Sequence, residues 1–245
     1  MRKMRRRVWI LWGILVVLIG IAIGLSIYLK PYEATAAALQ AMEGSESVSV
    51  LEEDHWYHFA PQSKKDLSVL FYPGGLVTPQ SYAPLGLQLA EEGYSVFVMK
   101  MPLNLAVLSP NRAEDVMNVY PDESFVIGGH SLGGAMAARF AHDHVDQLAG
   151  VMLLASYADE SGRLDTTGLP VLAITATNDQ VMDHDMFAAN RKFLPEDTLF
   201  YEVEGGNHSQ FGSYGHQDGD GEASISSKEQ TAIVATTIIS WLDNI

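Results

Sequence analysis

Short apolar runs alternate with amphipathic segments along most of the chain, a pattern typical of strands alternating with helices. The apolar runs predict strands at residues 48–51, 56–60, 67–72, 94–99, 125–128, 148–155, 171–176 and 198–203. Helical spacing predicts helices at 80–92, 112–120, from after residue 131 to about 142, and at 185–193 and 228–242, with a short one within 32–42.

Continuous apolar strands that alternate with helices predict an α/β fold, with a mainly parallel twisted sheet covered by helices on both faces. The first two strands, 48–51 and 56–60, are expected to form an antiparallel pair. Ligands of such sheets bind at the carboxyl ends of the strands. The connection between residues 155 and 171 is too short for a helical lid domain, so we expect an open cleft.

A longer apolar segment lies near the amino terminus. Residues 8–29 carry no charge and would form about 33 Å of helix, enough to cross a bilayer core. They predict one N-terminal transmembrane helix, a signal anchor, after a basic cytoplasmic tail at 1–7. A stalk at 30–47 and a catalytic domain at 48–245 would follow. The alternatives are a cleaved signal peptide, which would give a secreted protein, and a buried core helix.

The basic tail also predicts orientation, because positive residues stay in the cytoplasm. We therefore expect a single-pass protein of the cell membrane, with its N-terminus cytoplasmic and its catalytic domain extracytoplasmic.

The remainder of the chain is acidic. The whole sequence has 15 Lys+Arg against 30 Asp+Glu, a net charge of −15, and five of the basic residues lie in the first seven positions. Such a surface repels phosphate backbones, so no nucleic acid is expected as a partner. There is no phosphate-binding Gly-x-x-x-x-Gly-Lys-Ser/Thr loop, and the absence of cysteine excludes disulfides and thiolate metal sites.

The candidate nucleophile lies in the pentapeptide Gly129-His130-Ser131-Leu132-Gly133, between a predicted strand and a predicted helix. A serine at such a tight strand-to-helix turn, a nucleophile elbow, holds its hydroxyl above the sheet edge. Glycines on either side remove Cβ atoms that would collide as the chain turns. His130 is expected to be a packing or hydrogen-bonding neighbour of the site.

A serine hydroxyl needs a base, usually a histidine oriented by a buried carboxylate, and the expected chain order is Ser, Asp or Glu, His. Of eight histidines, His208 follows the strand at 198–203 in a glycine-containing loop, and His216 in the same region could support it. Asp179 follows the strand at 171–176, and Asp159 is the reserve carboxylate. Helix capping is the alternative role for Asp179.

An acyl-transfer site also needs donors where negative charge develops on the substrate oxygen. The backbone N–H of Leu132 is one candidate. The second is expected at Gly75 or Leu76, in the loop after the strand at 67–72.

The polar segment 212–222 follows the predicted base. Its acidic residues Asp218, Asp220 and Glu222 resemble a fragment of a calcium loop, but the full ligand spacing is missing, so a solvated acidic loop is the preferred interpretation. No organic cofactor or metal is required by the predicted mechanism.

The elbow at 129–133, the loop at 73–76, Asp179 and His208 together resemble the α/β-hydrolase superfamily from residue 48 to the C-terminus. The size is similar to that of small uncapped members such as dienelactone hydrolases, which typically use a cysteine nucleophile where this chain has serine. The superfamily usually has His-Gly where this chain has Pro73-Gly74.

The prediction is therefore a membrane-anchored serine hydrolase that cleaves a carboxylic ester, or alternatively a thioester or amide, through an acyl-enzyme. The expected partners are a small-molecule or surface-bound ester and, through the N-terminal helix, the membrane. The alternatives are an acyltransferase with the same triad and a catalytically silent binding module.

Overall fold

The computed structural model describes residues 12–21, 24–25 and 29–245. The chain divides into two compact units between Pro31 and Tyr32. In the first unit, residues 12–21 and 24–25 are helical. No helix in these described ranges is long and apolar enough to span a membrane. The predicted tail 1–7 and parts of the predicted span 8–29 lie outside the described residues.

The second unit is built on one sheet of eight strands. The strands are β1 Val48–Glu52, β2 Trp56–Pro61, β3 Leu67–Tyr72, β4 Ser95–Met99, β5 Ser124–His130, β6 Leu148–Leu154, β7 Val171–Ala176 and β8 Leu199–Val203. Their order across the sheet is β1-β2-β4-β3-β5-β6-β7-β8. β1 and β2 pair antiparallel, as does β2 with β4, and every later pair is parallel. This confirms the mainly parallel sheet and the antiparallel first pair.

Helices cover both faces of the sheet, as predicted. They are α1 Ala36–Ala41, α2 Ala83–Glu91, α3 Ala113–Val119, α4 Leu132–Asp143, α5 His184–Asn190 and α6 Ser227–Leu242. α2 and α6 bury apolar side chains against one face, and α3 and α4 against the other. The inner parallel strands are largely buried because both faces of the sheet are covered, whereas the edge strand β8 is mostly exposed.

The compact unit begins before the predicted boundary at residue 48. The amide of Tyr32 donates to the carbonyl of Leu76 at 2.7 Å, and the amide of Thr35 donates to the carbonyl of Ser213 at 2.8 Å. Ala38 of α1 is fully buried. Much of the predicted stalk at 30–47 is therefore part of the compact unit that contains the sheet.

The connection between β6 and β7, residues 155–170, is fully described and contains a single short 3-10 turn, Glu160–Gly162. No lid domain is inserted at this point of the described chain. The carboxyl ends of the parallel strands form the rim at which the predicted site residues lie.

Candidate active site

Ser131 occupies a sharp turn between β5 and α4. Its backbone angles are φ 53° and ψ −122°, a conformation that an L-residue rarely adopts. The turn is held from below, because the amide of Ser131 donates to the carbonyl of Leu154 at 2.9 Å. The hydroxyl of Ser156 donates to the carbonyl of Ser131 at 2.7 Å. The turn therefore has the strand-to-helix elbow geometry that the sequence predicts at Ser131.

Glycine is required on both sides of this turn. A Cβ at Gly129 would lie 2.5 Å from the carbonyl carbon of Gly133. A Cβ at Gly133 would overlap the carbonyl oxygen of Tyr72, at the end of β3. The two glycines therefore let the chain reverse and let α4 begin directly against the strand beside it.

Asp179 and His208 form a buried pair. Nδ1 of His208 lies 2.8 Å from Oδ2 of Asp179, and both side chains are almost completely excluded from solvent. The other carboxylate oxygen accepts the amides of Val181 at 2.9 Å and Met182 at 2.8 Å. The carboxylate is thus fixed by its own turn and faces the imidazole.

The charge state of Asp179 follows from these contacts. Burial raises the pKa of Asp179, but the hydrogen bond and charge of His208 and the amides of Met182 and Val181 lower it more. The net pKa lies below the ordinary value, so the residue is a carboxylate at neutral pH. The carboxylate can accept a hydrogen bond from an N–H at Nδ1 of His208. The unprotonated nitrogen of the ring is then Nε2.

His208 and Ser131 belong to the same rim of the sheet. The ring of His130, the residue before Ser131, has its centroid 4.5 Å from that of His208. No hydrogen bond joins the Ser131 hydroxyl to His208 or to any other residue that the structure describes. Ser131 itself is partly exposed.

The backbone hydrogen bonds reduce the number of amides that could serve as oxyanion donors. Leu132 is the first residue of α4, where amides have no intrahelical partner. The amide of Leu76 donates to the carbonyl of Asn104 at 2.8 Å and is therefore committed. Gly75 lies next to Leu132, whose Cδ2 is 3.2 Å from the position of an added Cβ. Of the two predicted alternatives, Gly75 remains the candidate.

A buried hydrogen-bonded chain connects the loop after β3 to the elbow. The amide of Gly74 donates to the Tyr82 hydroxyl at 2.9 Å, and that hydroxyl lies 2.8 Å from Nδ1 of His130. Of the two described partners of the Tyr82 hydroxyl, only Nδ1 can accept a proton, since the Gly74 amide is a donor, so the hydroxyl donates to Nδ1. Burial, with the charge of His208, holds the pKa of His130 well below 6.5, so the ring is neutral. His130 is thus the hydrogen-bonding neighbour that the sequence indicates, whereas Tyr82 carried no local signal.

The loop that carries His208 is fixed from two sides. The carboxylate of Asp220 accepts the amides of His208 at 3.3 Å and Ser209 at 2.8 Å. Gln230 of α6 is fully buried, accepts the amide of Asn207 at 3.0 Å and donates to its carbonyl at 2.8 Å. These roles were not predicted, because each depends on a contact with another segment.

The remaining candidates lie elsewhere. Asp159 pairs with Arg139 and caps the turn Glu160–Gly162, so it does not face His208. His216 is exposed and lines a cavity of about 500 Å³ behind the His208 loop, together with Ser209 and Lys228. Within the described part of the chain, no group of three or more His, Cys, Asp or Glu side chains is arranged to hold a metal.

A sheet of this order, with an elbow after its fifth strand and a carboxylate and a histidine after the last two, defines an α/β-hydrolase architecture. The sequence model of the Alpha/beta hydrolase family matches residues 68–232, and the chain belongs to that family. The membership confirms the predicted superfamily and an enzyme of the α/β-hydrolase type. No curated protein matches the chain.

Solved structures share the fold at low sequence identity. Naproxen esterase (carboxylesterase NP) from Bacillus subtilis has a TM-score of 0.60 at 11% identity, covering 84% of this chain and 94% of that one. Est1E from Butyrivibrio proteoclasticus with ferulic acid bound has a TM-score of 0.59 at 11% identity, and the match covers 81% of this chain and 98% of that one. A predicted CIB-like hydrolase from Thermoplasma acidophilum has a TM-score of 0.58 at 16% identity, and the match covers 78% of this chain and 98% of that one.

Proposed function

We propose that the protein is a membrane-anchored serine hydrolase that cleaves carboxylic esters, with Ser131 as nucleophile, His208 as base and Asp179 as the orienting carboxylate. The observation that carries this proposal is the buried pair of His208 and Asp179, 2.8 Å apart, at the rim that holds the elbow serine. A buried imidazole–carboxylate pair at the same rim as a strained, partly exposed serine is the arrangement that nucleophilic catalysis by serine needs.

The reaction begins when the Ser131 oxygen attacks the ester carbonyl carbon and its proton passes to Nε2 of His208. The carbonyl oxygen becomes an oxyanion, and the amides of Leu132 and Gly75 are the proposed donors to it. His208 then gives the proton to the leaving alkoxide as the carbon–oxygen bond breaks. Water repeats these steps on the acyl-enzyme and releases the acid. Asp179 stabilises the imidazolium in both halves.

The missing hydrogen bond between Ser131 and His208 is compatible with this role. Catalytic hydrogen bonds are often long without substrate and shorten in the Michaelis complex. Attack also requires the hydroxyl to turn toward the bound carbonyl. The esterase names of the naproxen and Est1E neighbours favour an ester over a thioester or amide substrate.

Labelling with a fluorophosphonate tests the nucleophile. We expect covalent labelling of the full-length chain, loss of labelling in Ser131→Ala, and at least a thousandfold slower labelling in His208→Ala. Asp159→Ala is the matched control, because its carboxylate pairs with Arg139 away from the site. Folded wild-type protein that takes up no label would favour the silent binding module instead.

Membrane anchoring by residues 8–29 is a second part of the proposal. The segment is uncharged, five basic residues precede it, and the side chains of Trp12, Val16 and Leu18 are each more than half exposed. Fractionation of cells that express the chain, with and without residues 1–29, tests it. We expect the full chain in membranes and its domain accessible to protease from the extracytoplasmic side. A mature chain that lacks these residues and is released to the medium would support signal cleavage.

A further inference from the structure

Exposed apolar side chains cluster in the segment after β4, residues 103–108, here called the apolar segment. Leu103, Val107 and Leu108 are 60%, 50% and 53% exposed. Single exposed apolar residues are common on protein surfaces and need no explanation. Several in one short segment beside a candidate active site indicate a binding surface.

The apolar segment is attached to the candidate oxyanion loop. The carbonyl of Asn104 accepts the amide of Leu76 at 2.8 Å. Cδ2 of Leu105 lies 3.9 Å from the position that a Cβ would have at Gly75. The turn Ala106–Leu108 also packs on α4, the helix that begins directly after Ser131. The apolar segment therefore adjoins the loop and the helix that carry the two candidate oxyanion donors.

The backbone of this region is held in an unusual shape. Leu76, Leu103 and Asn104 have φ values of 59°, 52° and 54°, in the left-handed region that favours glycine. Side-chain-bearing residues keep such angles only when surrounding contacts hold them there. The apolar side chains are thus presented at the surface by a defined loop instead of folding inward.

The order of the strands indicates which half of an ester this surface meets. His208 and Asp179 follow β8 and β7, on one side of β5, whereas the apolar segment follows β4, on the other side beyond β3. His208 must give its proton to the leaving alkoxide, so the alcohol half of the ester faces His208. The acyl half is then free to extend away from the base, on the side of β3 and β4 where the apolar segment lies.

We propose that the apolar segment is the acyl-binding surface, and that the substrates are esters of apolar carboxylic acids several carbons long. This inference rests on the proposed serine hydrolase function and names its substrate class. It assigns acyl specificity to Leu103, Val107 and Leu108, none of which takes part in the chemical steps.

The test uses p-nitrophenyl esters, in which the leaving group stays constant while the acyl chain lengthens from acetate to hexanoate. Complete burial of a methylene is worth about 0.8 kcal/mol, or about fourfold in rate, and a half-exposed surface supplies about half of that free energy. We therefore expect kcat/KM of the full-length chain to rise about twofold per methylene, or about 16-fold from acetate to hexanoate. In Leu103→Ser/Val107→Ser/Leu108→Ser the ratio of hexanoate to acetate should fall to near one.

Leu199→Ser is the matched control. Leu199 is 48% exposed but begins β8, at the opposite rim of the sheet, so this variant should keep the wild-type ratio. A second series varies the alcohol of acetate esters, and the triple variant should leave its slope unchanged. If the triple variant misfolds and loses fluorophosphonate labelling, the single variant Val107→Ser replaces it, with a smaller fall expected.

Two results would overturn the acyl-binding surface. One is an unchanged ratio of hexanoate to acetate kcat/KM in a variant that still reacts with the fluorophosphonate. The other is a change that appears only in the alcohol series. Equal loss on acetate and hexanoate would also overturn it, because the segment would then act on the chemical steps. Absence of both ester turnover and Ser131 labelling in the wild type would instead refute the proposed function, so the two failures are distinguishable.

Discussion

Asp179 holds His208 through Oδ2 at a distance of 2.8 Å, while its Oδ1 is occupied by the amides of Val181 and Met182. Because each oxygen has its own partners, the carboxylate cannot rotate without losing the two hydrogen bonds from the amides. The imidazole is therefore presented in one orientation and one tautomer.

Asp179→Asn should keep this geometry but reverse the tautomer of His208, because an amide nitrogen facing Nδ1 donates rather than accepts. Nε2 would then carry the hydrogen and could not accept the serine proton. We expect kcat for p-nitrophenyl acetate to fall about 10⁴-fold, as for the analogous change in serine proteases. Asp183→Asn, at the cap of α5, is the control and should retain activity. Turnover within tenfold of wild type would remove Asp179 from the proposed triad.

The same residue should contribute to acid denaturation. Its pKa is lowered in the folded chain from an ordinary 3.8, so below that pH the unfolded chain binds the proton more readily. The stability contributed by Asp179 is present above the unfolded pKa and is lost as the pH falls through the lower folded value. Urea unfolding from pH 7 to pH 2.5 should show a shallower acid loss for Asp179→Asn than for wild type. Parallel curves for the two proteins would contradict this prediction.

Tyr82→Phe keeps the ring but removes the hydroxyl that joins Gly74 to His130. Both remaining polar groups are buried, and each unpaired group costs about 1–3 kcal/mol. We expect the free energy of unfolding to fall by about 2 kcal/mol. Because Gly74 precedes a candidate oxyanion donor, kcat should also fall about tenfold or more. Tyr94→Phe loses a hydroxyl bonded to the half-exposed Asp243 and should leave kcat unchanged.

Asp220→Asn tests the support of the His208 loop. Its carboxylate accepts the amides of His208 and Ser209, and an asparagine of the same size would place an N–H donor against one of them. Bonds to a charged acceptor are worth about 1.5–3 kcal/mol, so we expect kcat to fall about tenfold with little change in KM. Asp218→Asn, on an exposed residue of the same loop, should behave as wild type. Equal rates for the two variants would show that Asp220 does not position the base.

Ser131→Gly should be more stable than Ser131→Ala, although both lack the nucleophile. The φ of 53° at this position suits glycine, so relief of the strain should add about 1–2 kcal/mol to the free energy of unfolding. Ser161 has an ordinary φ, so Ser161→Gly should be less stable than Ser161→Ala. Thermal or urea unfolding of the four variants gives the answer. Equal stabilities at position 131 would mean that the elbow stores no strain.

The fold was predictable because its signals are local. Each apolar run from residue 48 onward became a strand, and the elbow pentapeptide specified its own turn through glycines that touch the neighbouring strand. The pairing of Asp179 with His208 followed from their positions at the ends of adjacent parallel strands. Strand order alone brings such residues together.

Contacts between distant segments were not predictable in the same way. Tyr82 looks like an ordinary core aromatic, and only the folded chain shows its hydroxyl between Gly74 and His130. Leu76 was one of two candidate donors until the loop after β4 supplied Asn104 as its acceptor. The early boundary of the domain likewise depends on pairing of Tyr32 with Val77, which are far apart in sequence.

The clamp on Asn207 by Gln230 has a consequence for biosynthesis. Gln230 belongs to a helix that follows all three proposed reacting residues in sequence, so a polypeptide still being synthesised contains these residues before it contains this support of the His208 segment. Full activity should therefore appear only after α6 has packed against the His208 loop. A product that ends before Gln230 should have much lower activity, even with all three proposed reacting side chains present.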